Sequence, residues 1–99
     1  MKICEEMIKF RKYLDDKGIE WKDKSTEDFF DDIKYDYKIH RTYFYHNGNL
    51  VSVINGQGTY GGVDFDGNNR GLLEVMIGDD EPEGYLSCEQ AIEYIFTNK

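Results

Sequence analysis

Apolar residues Ile3, Met7, Phe10 and Leu14 recur at spacings of four, three and four. That spacing is one face of a helix, with Glu5, Glu6, Lys9, Lys12 and Asp16 turned away. Gly18 supplies a C-terminal stop, because glycine accepts the left-handed backbone there. The pattern therefore predicts a first helix from Ile3 to Lys17. Ile19, Trp21 and Asp23 alternate with polar residues, as in a short strand. Ser25 and Thr26, followed by Glu27 and Asp28, predict a capped helical turn through Phe29, Phe30 and Ile33.

The strongest local signal follows. Tyr37 to His46 is rich in aromatic and β-branched residues, and Asn47-Gly48 is the preferred two-residue type I′ turn. Asn49 to Asn55 then returns as the second strand. A two-residue turn fixes the register: His46 opposite Asn49, Tyr45 opposite Leu50, Phe44 opposite Val51, Tyr43 opposite Ser52, Thr42 opposite Val53 and Arg41 opposite Ile54. One face carries Ile39, Arg41, Tyr43, Tyr45, Leu50 and Ile54. The other carries His40, Thr42, Phe44, Val51 and Val53. Both are half apolar, so alternation alone does not select the buried one.

Gly56 to Gly71 holds six of the ten glycines and reads as a long loop. Long loops in small domains are often functional. Leu72 to Ile77 predicts a buried strand, and Asp79, Asp80, Glu81, Pro82 and Glu83 an acidic turn. Ser87 with Gln90 forms a capping box for a second helix, which turns Cys88, Ala91, Ile92, Ile95 and Phe96 toward the core. The fold expected is a single α+β domain over residues 1–99. It has an N-terminal helix, a mainly antiparallel sheet built on the central hairpin, and a C-terminal helix. Each helix has one apolar stripe to bury, so both are expected on one sheet face.

Charge narrows the partners. The net charge of -8 opposes contact with a nucleic-acid backbone and favours a protein with a basic surface. No apolar run approaches the roughly 18 residues of a membrane span. The two cysteines, Cys4 and Cys88, fall on the predicted helices and make no disulfide framework. A cytoplasmic setting with reduced thiols is the expectation.

Gly56-Gln57-Gly58-Thr59-Tyr60-Gly61 matches G-x-G-x-x-G after a strand, but no helix follows it and there is no βαβ unit. A dinucleotide fold is thereby excluded. A glycine-rich loop still offers backbone N–H groups to an anion. Asp64, Asp66, Asn68 and Asn69 resemble part of a calcium loop but lack its glycine and glutamate spacing. His40 and His46 share a strand face without a convincing third metal ligand. Cys88 lies in the first turn of an amphipathic helix, where a structural role is expected. No metal, no cofactor and no enzymatic activity are expected. Arg41, mid-strand among aromatics, is expected to pair with an acid, to stack on tyrosine or to hold an anionic ligand.

Four blocks, Arg41-Thr42-Tyr43-Phe44, Val53 to Gly56 with Gly58 to Gly62, Gly71-Leu72-Leu73-Glu74 and Gly84-Tyr85-Leu86-Ser87, resemble small uncharacterised proteins of Gram-positive bacteria and their phages. The resemblance implies no activity and no site residues. It implies a prophage or mobile-element setting, in which small acidic proteins often inhibit host defence.

Three functions follow as expectations. The first is a non-enzymatic inhibitor that binds a host defence or nucleic-acid-binding protein through an acidic surface: Asp28, Asp31, Asp32, Asp36, Asp79, Asp80, Glu81 and Glu83. The second is a binder of a small anionic ligand such as a nucleotide, through Arg41, Tyr43 and the Gly58, Thr59, Tyr60, Gly61 and Gly62 loop. The third is a structural or regulatory subunit that associates with copies of itself.

Overall fold

The computed structural model describes residues 3–29, 36–63 and 67–97. Its elements run α1 (Glu5–Asp16), β1 (Lys22–Asp23), β2 (Thr26–Phe29), β3 (Asp36–His46), β4 (Asn49–Gly56), β5 (Leu73–Ile77), β6 (Glu83–Leu86) and α2 (Cys88–Phe96). The class is α+β, as the sequence pattern predicts. All pairings are antiparallel, in the order β1-β3-β4-β5-β6, with β2 also on β3.

The β3–β4 hairpin has the predicted register, from His46 opposite Asn49 to Arg41 opposite Ile54, and extends to Ile39 opposite Gly56. Asn47 and Gly48 both have positive φ, 51° and 79°, as a type I′ turn requires. Helix α1 ends as predicted. The Gly18 N–H donates to the Asp15 carbonyl and the Ile19 N–H to the Leu14 carbonyl, the paired bonds of a Schellman stop. The Ser87–Gln90 capping box opens α2.

Three elements differ from expectation. Thr26–Phe29 is a strand on β3, not a helical turn. The Ser25 hydroxyl is the reason: it accepts the Arg41 N–H and donates to Asp23, so it ties the chain to a strand edge instead of capping a helix. Phe30 and Ile33, the rest of that expected turn, lie outside the described residues. The acidic segment is also shorter than expected, because Glu83 begins β6, which pairs with β5. The Ile19–Asp23 strand shrinks to Lys22–Asp23, as the Trp21 indole N–H leaves the sheet direction to donate to Asp15 of α1 at 2.8 Å.

The buried face is the one bearing Thr42, Phe44, Val51 and Val53. It meets Met7, Phe10 and Leu14 of α1 and Cys88, Ala91 and Ile95 of α2, with Leu73 and Val75 completing one core. Phe44 lies 5.8 Å from Phe10 and 6.0 Å from Phe96, ring centre to ring centre, so both helices sit on one side of the sheet. The opposite face carries Arg41, Ser52 and Glu74 at matched positions, and burying such a set would strand polar groups without partners.

Two polar ties lock the helices in place. The Glu6 carboxylate accepts the Cys88 N–H at 2.8 Å, so α1 caps the first turn of α2. That bond, with Lys9 beside it, holds the Glu6 carboxyl below the usual carboxylate range. Arg11 reaches from α1 to the sheet. Its Nε donates to Thr42 Oγ1 at 2.8 Å and its Nη2 to the Arg41 carbonyl at 3.1 Å, and it pairs with Asp23 at 3.3 Å.

Candidate binding face

Helices cover one sheet face, and the register states what the other presents. Directly paired residues share a face. Lys22, Tyr43, Ser52 and Met76 therefore form one row across it, and Arg41, Ile54 and Glu74 the next. Lys24 adjoins the second row, since its N–H donates to the Arg41 carbonyl at 3.0 Å. Tyr45 and Leu50 form the row nearest the hairpin turn. Tyr45 is 72% exposed, and Leu50 and Met76 each more than a third.

The far rim is built by the glycine-rich segment. Glu74 leans out of β5 and accepts the Tyr60 N–H at 2.8 Å, and the Tyr60 carbonyl accepts the Tyr85 N–H at 3.1 Å. The β5–β6 register shifts between Leu73 and Val75, and this bulge sits beside Tyr85. Tyr85 has φ 59°, a left-handed backbone that a bulky aromatic rarely adopts. Both tyrosines are more than half exposed and their ring centres lie 6.4 Å apart. The bulge thus aims a second aromatic outward beside Tyr60.

Two of the glycines are consumed by packing. Gly61 and Gly62 are buried. A Cβ on Gly62 would fall on the Gly56 carbonyl oxygen and on the Thr59 hydroxyl, which already exchange a hydrogen bond. Bridges from Gln57 to Val63 and from Val63 to Asn69 close the segment. Buried Asn55 and half-buried Asn69 bond each other amide to amide at 2.9 and 3.0 Å. The long loop expected from Gly56 to Gly71 is thus, where described, a folded-back turn filled by its own backbone.

The expected ligand residues do not converge. Arg41 and Tyr43 lie on β3, whereas Gly58, Thr59, Tyr60, Gly61 and Gly62 lie beyond β4 toward β6; Gly61 faces Leu72 and Tyr85. Arg41 is half-buried on the helix-free face, and no ion pair of its guanidinium occurs among the described residues. The arginine drawn furthest into the structure is Arg11, 13% exposed, whose place four residues after Met7 on the core-side flank of α1 was the available signal. Of the acidic set, Asp79, Asp80, Glu81 and Glu83 are exposed around the β5–β6 turn. Asp28 and Asp36 are strand residues of β2 and β3, and Asp31 and Asp32 lie outside the described residues.

The remaining chemistry-bearing groups serve the core. His46 packs edge-on against Phe96 at 4.7 Å, and His40 is buried with the core face of β3. Burial pushes both the Cys4 and the Cys88 thiols up, away from the reactive thiolate. Asp64 and Asp66 lie outside the described residues. Among the described residues no helix is long and apolar enough to cross a membrane. Compared with known proteins, no family model matches this chain, and no curated protein or solved structure matches it significantly.

Proposed function

We propose that this chain is a non-enzymatic binding protein that docks on a partner protein through the helix-free face of its sheet. One observation carries the reading. Among the described residues six large apolar side chains stand exposed, and five of them, Tyr45, Leu50, Tyr60, Met76 and Tyr85, lie on that face or its rim. Tyrosine and methionine are enriched at interface cores, and a polar rim around them is the usual anatomy. The rim here is acidic: Asp79, Asp80 and Glu81 follow Gly78, whose N–H donates to the Leu50 carbonyl at 2.8 Å, so the acidic turn abuts the apolar patch. Acidic rims steer association toward basic surfaces. The resemblance to phage and prophage proteins favours a host defence or nucleic-acid-binding protein as that partner.

The left-handed Tyr85 supports the same face. Such a conformation costs of order 1–3 kcal/mol and clusters where binding requires it. The test uses affinity capture from lysate of the encoding cell at low salt, with Tyr85→Gly and Tyr45→Ala variants alongside. Glycine accepts the left-handed backbone, so Tyr85→Gly is expected to keep the fold's melting temperature while losing the partner. A partner retained equally by both variants would refute the proposal, and so would a chain that captures nothing and instead sediments as a stable dimer.

A further inference from the structure

The pairing of β1 with β3 stops at Lys22 opposite Tyr43. Upstream of it, Ile19 to Trp21 splays away from the sheet, because Trp21 is held by Asp15 of α1. The gap between that segment and the end of the hairpin is a cleft of about 560 Å³. A volume of that order matches sites for small organic molecules.

Its walls are prepared for a flat ring. The Trp21 indole is fixed at both ends of its polarity: its N–H donates to Asp15 at 2.8 Å, and the Arg11 guanidinium lies 4.8 Å from the ring centre. Arg11 is itself anchored on Thr42 and on the Arg41 carbonyl. Tyr43, Phe44 and Tyr45 of β3 complete the lining. Rings held in place before a ligand arrives lose little freedom on stacking.

The cleft is also cationic, against the balance of the chain. Lys22 and Lys24 line it, both exposed, and neither makes an ion pair among the described residues. In contrast, Lys9 and Lys12 of α1 are each paired with an acid of the same helix, Glu6 and Asp16. Glu20 is the acidic member of the lining, and a carboxylate only accepts hydrogen bonds, which suits hydroxyl groups. The outer edge of β3 adds backbone groups. Arg41 points its N–H and carbonyl outward, to Ser25 and Lys24. Strand alternation then directs those of Tyr45 outward too, beyond the last β1 pair, where they offer a donor and an acceptor to the edge of a base.

We propose that this cleft binds an aromatic anion of mononucleotide size, its ring stacked on Trp21 beside the tyrosines that line the cleft and its phosphate held by Lys22 and Lys24. The cleft shares Tyr43, Tyr45 and Leu50 with the proposed docking face, but nucleotide binding is measured without a partner protein and does not depend on that reading. Trp21 is the chain's single tryptophan, so it reports directly on the cleft. Its fluorescence, excited at the red edge of its absorption, is titrated with AMP and with adenosine. AMP is expected to quench it saturably, with adenosine about tenfold weaker for want of the charged hydrogen bonds. Lys22→Gln/Lys24→Gln, both at exposed positions, is expected to fold normally and to bring AMP down to the adenosine level. Tyr43→Ala is expected to weaken both ligands. Quenching by AMP that never saturates, adenosine binding as tightly as AMP, or wild-type AMP affinity in the double lysine variant would each overturn the proposal.

Discussion

Replacing Arg11 by methionine keeps the apolar stem of the side chain and removes its charged fork. The side chain is only 13% exposed, so the loss is felt inside the structure. Two hydrogen bonds from the guanidinium disappear, to Thr42 Oγ1 and to the Arg41 carbonyl. Bonds from charged donors range up to about 3 kcal/mol when an acceptor is left bare. Neither group is left without a hydrogen bond here. The Thr42 hydroxyl still donates to Met7 Sδ at 3.2 Å, and the Arg41 carbonyl still accepts the Lys24 N–H. The low end, about 1 kcal/mol each, therefore applies. The pair with Asp23 contributes about 0.5 kcal/mol, because the Asp23 side chain is 54% exposed. The contact with Trp21 contributes about 0.5 kcal/mol more. The expected loss is about 2–3 kcal/mol, a large part of a stability of order 5–15 kcal/mol. For a domain of this size that lowers the melting temperature by roughly 10–20 °C. Urea unfolding followed by far-UV circular dichroism measures it, with an unchanged slope showing that the unfolded state is unaltered. Arg11→Lys, which keeps the charge without the fork, is expected to fall between the two. A methionine variant within about 0.5 kcal/mol of wild type would show that the bridge from helix to sheet carries no stability.

Two further outcomes are expected. Glu6 has a folded-state pKa below its unfolded value because it accepts the Cys88 N–H, so its contribution is complete above the ordinary carboxylate pKa of about 4.3 and is lost as pH falls through the folded value; urea midpoints should therefore drop more steeply below about pH 4.5 in wild type than in Glu6→Gln, and parallel curves would rule the cap out. Gly62→Ala forces a methyl group onto the Gly56 carbonyl and the Thr59 hydroxyl and should cost about 3 kcal/mol or leave the protein insoluble, whereas unchanged denaturant unfolding would mean that the turn can re-form around a side chain.

Most of the fold was legible because its signals are local. Asn47-Gly48 alone set eight strand pairs, and Gly18, Ser87 and Gln90 mark helix ends through bonds to near neighbours. What escaped was non-local. Glu83–Leu86 carries an acid, a glycine and two apolar residues, with no alternation of its own, and becomes a strand only because Leu73 and Val75 stand beside it. Thr26–Phe29 looked like a helix start because Ser25 is a good cap; its hydroxyl was engaged by a strand 16 residues on. The buried face could have been chosen from β5, where Leu73, Val75 and Ile77 alternate with Glu74 and Met76. The candidate site was the least legible part. Tyr43 lines the proposed cleft, Gly61 and Gly62 are taken up by close packing, and Trp21, Lys22 and Lys24 gain meaning only from the splay of one segment off the sheet edge.

The bond from Glu6 to Cys88 spans 82 positions of the sequence. During synthesis, at roughly 5–20 residues per second, the acceptor on α1 is made some 4–16 s before its donor. Meanwhile Met7, Phe10 and Leu14 gain their β4 and β5 partners in turn, and the core around α1 closes only when α2 arrives. The hairpin from β3 to β4 needs only a two-residue turn and closes within microseconds. Assembly therefore proceeds from the middle outward, and the first helix completes the core late despite being translated first.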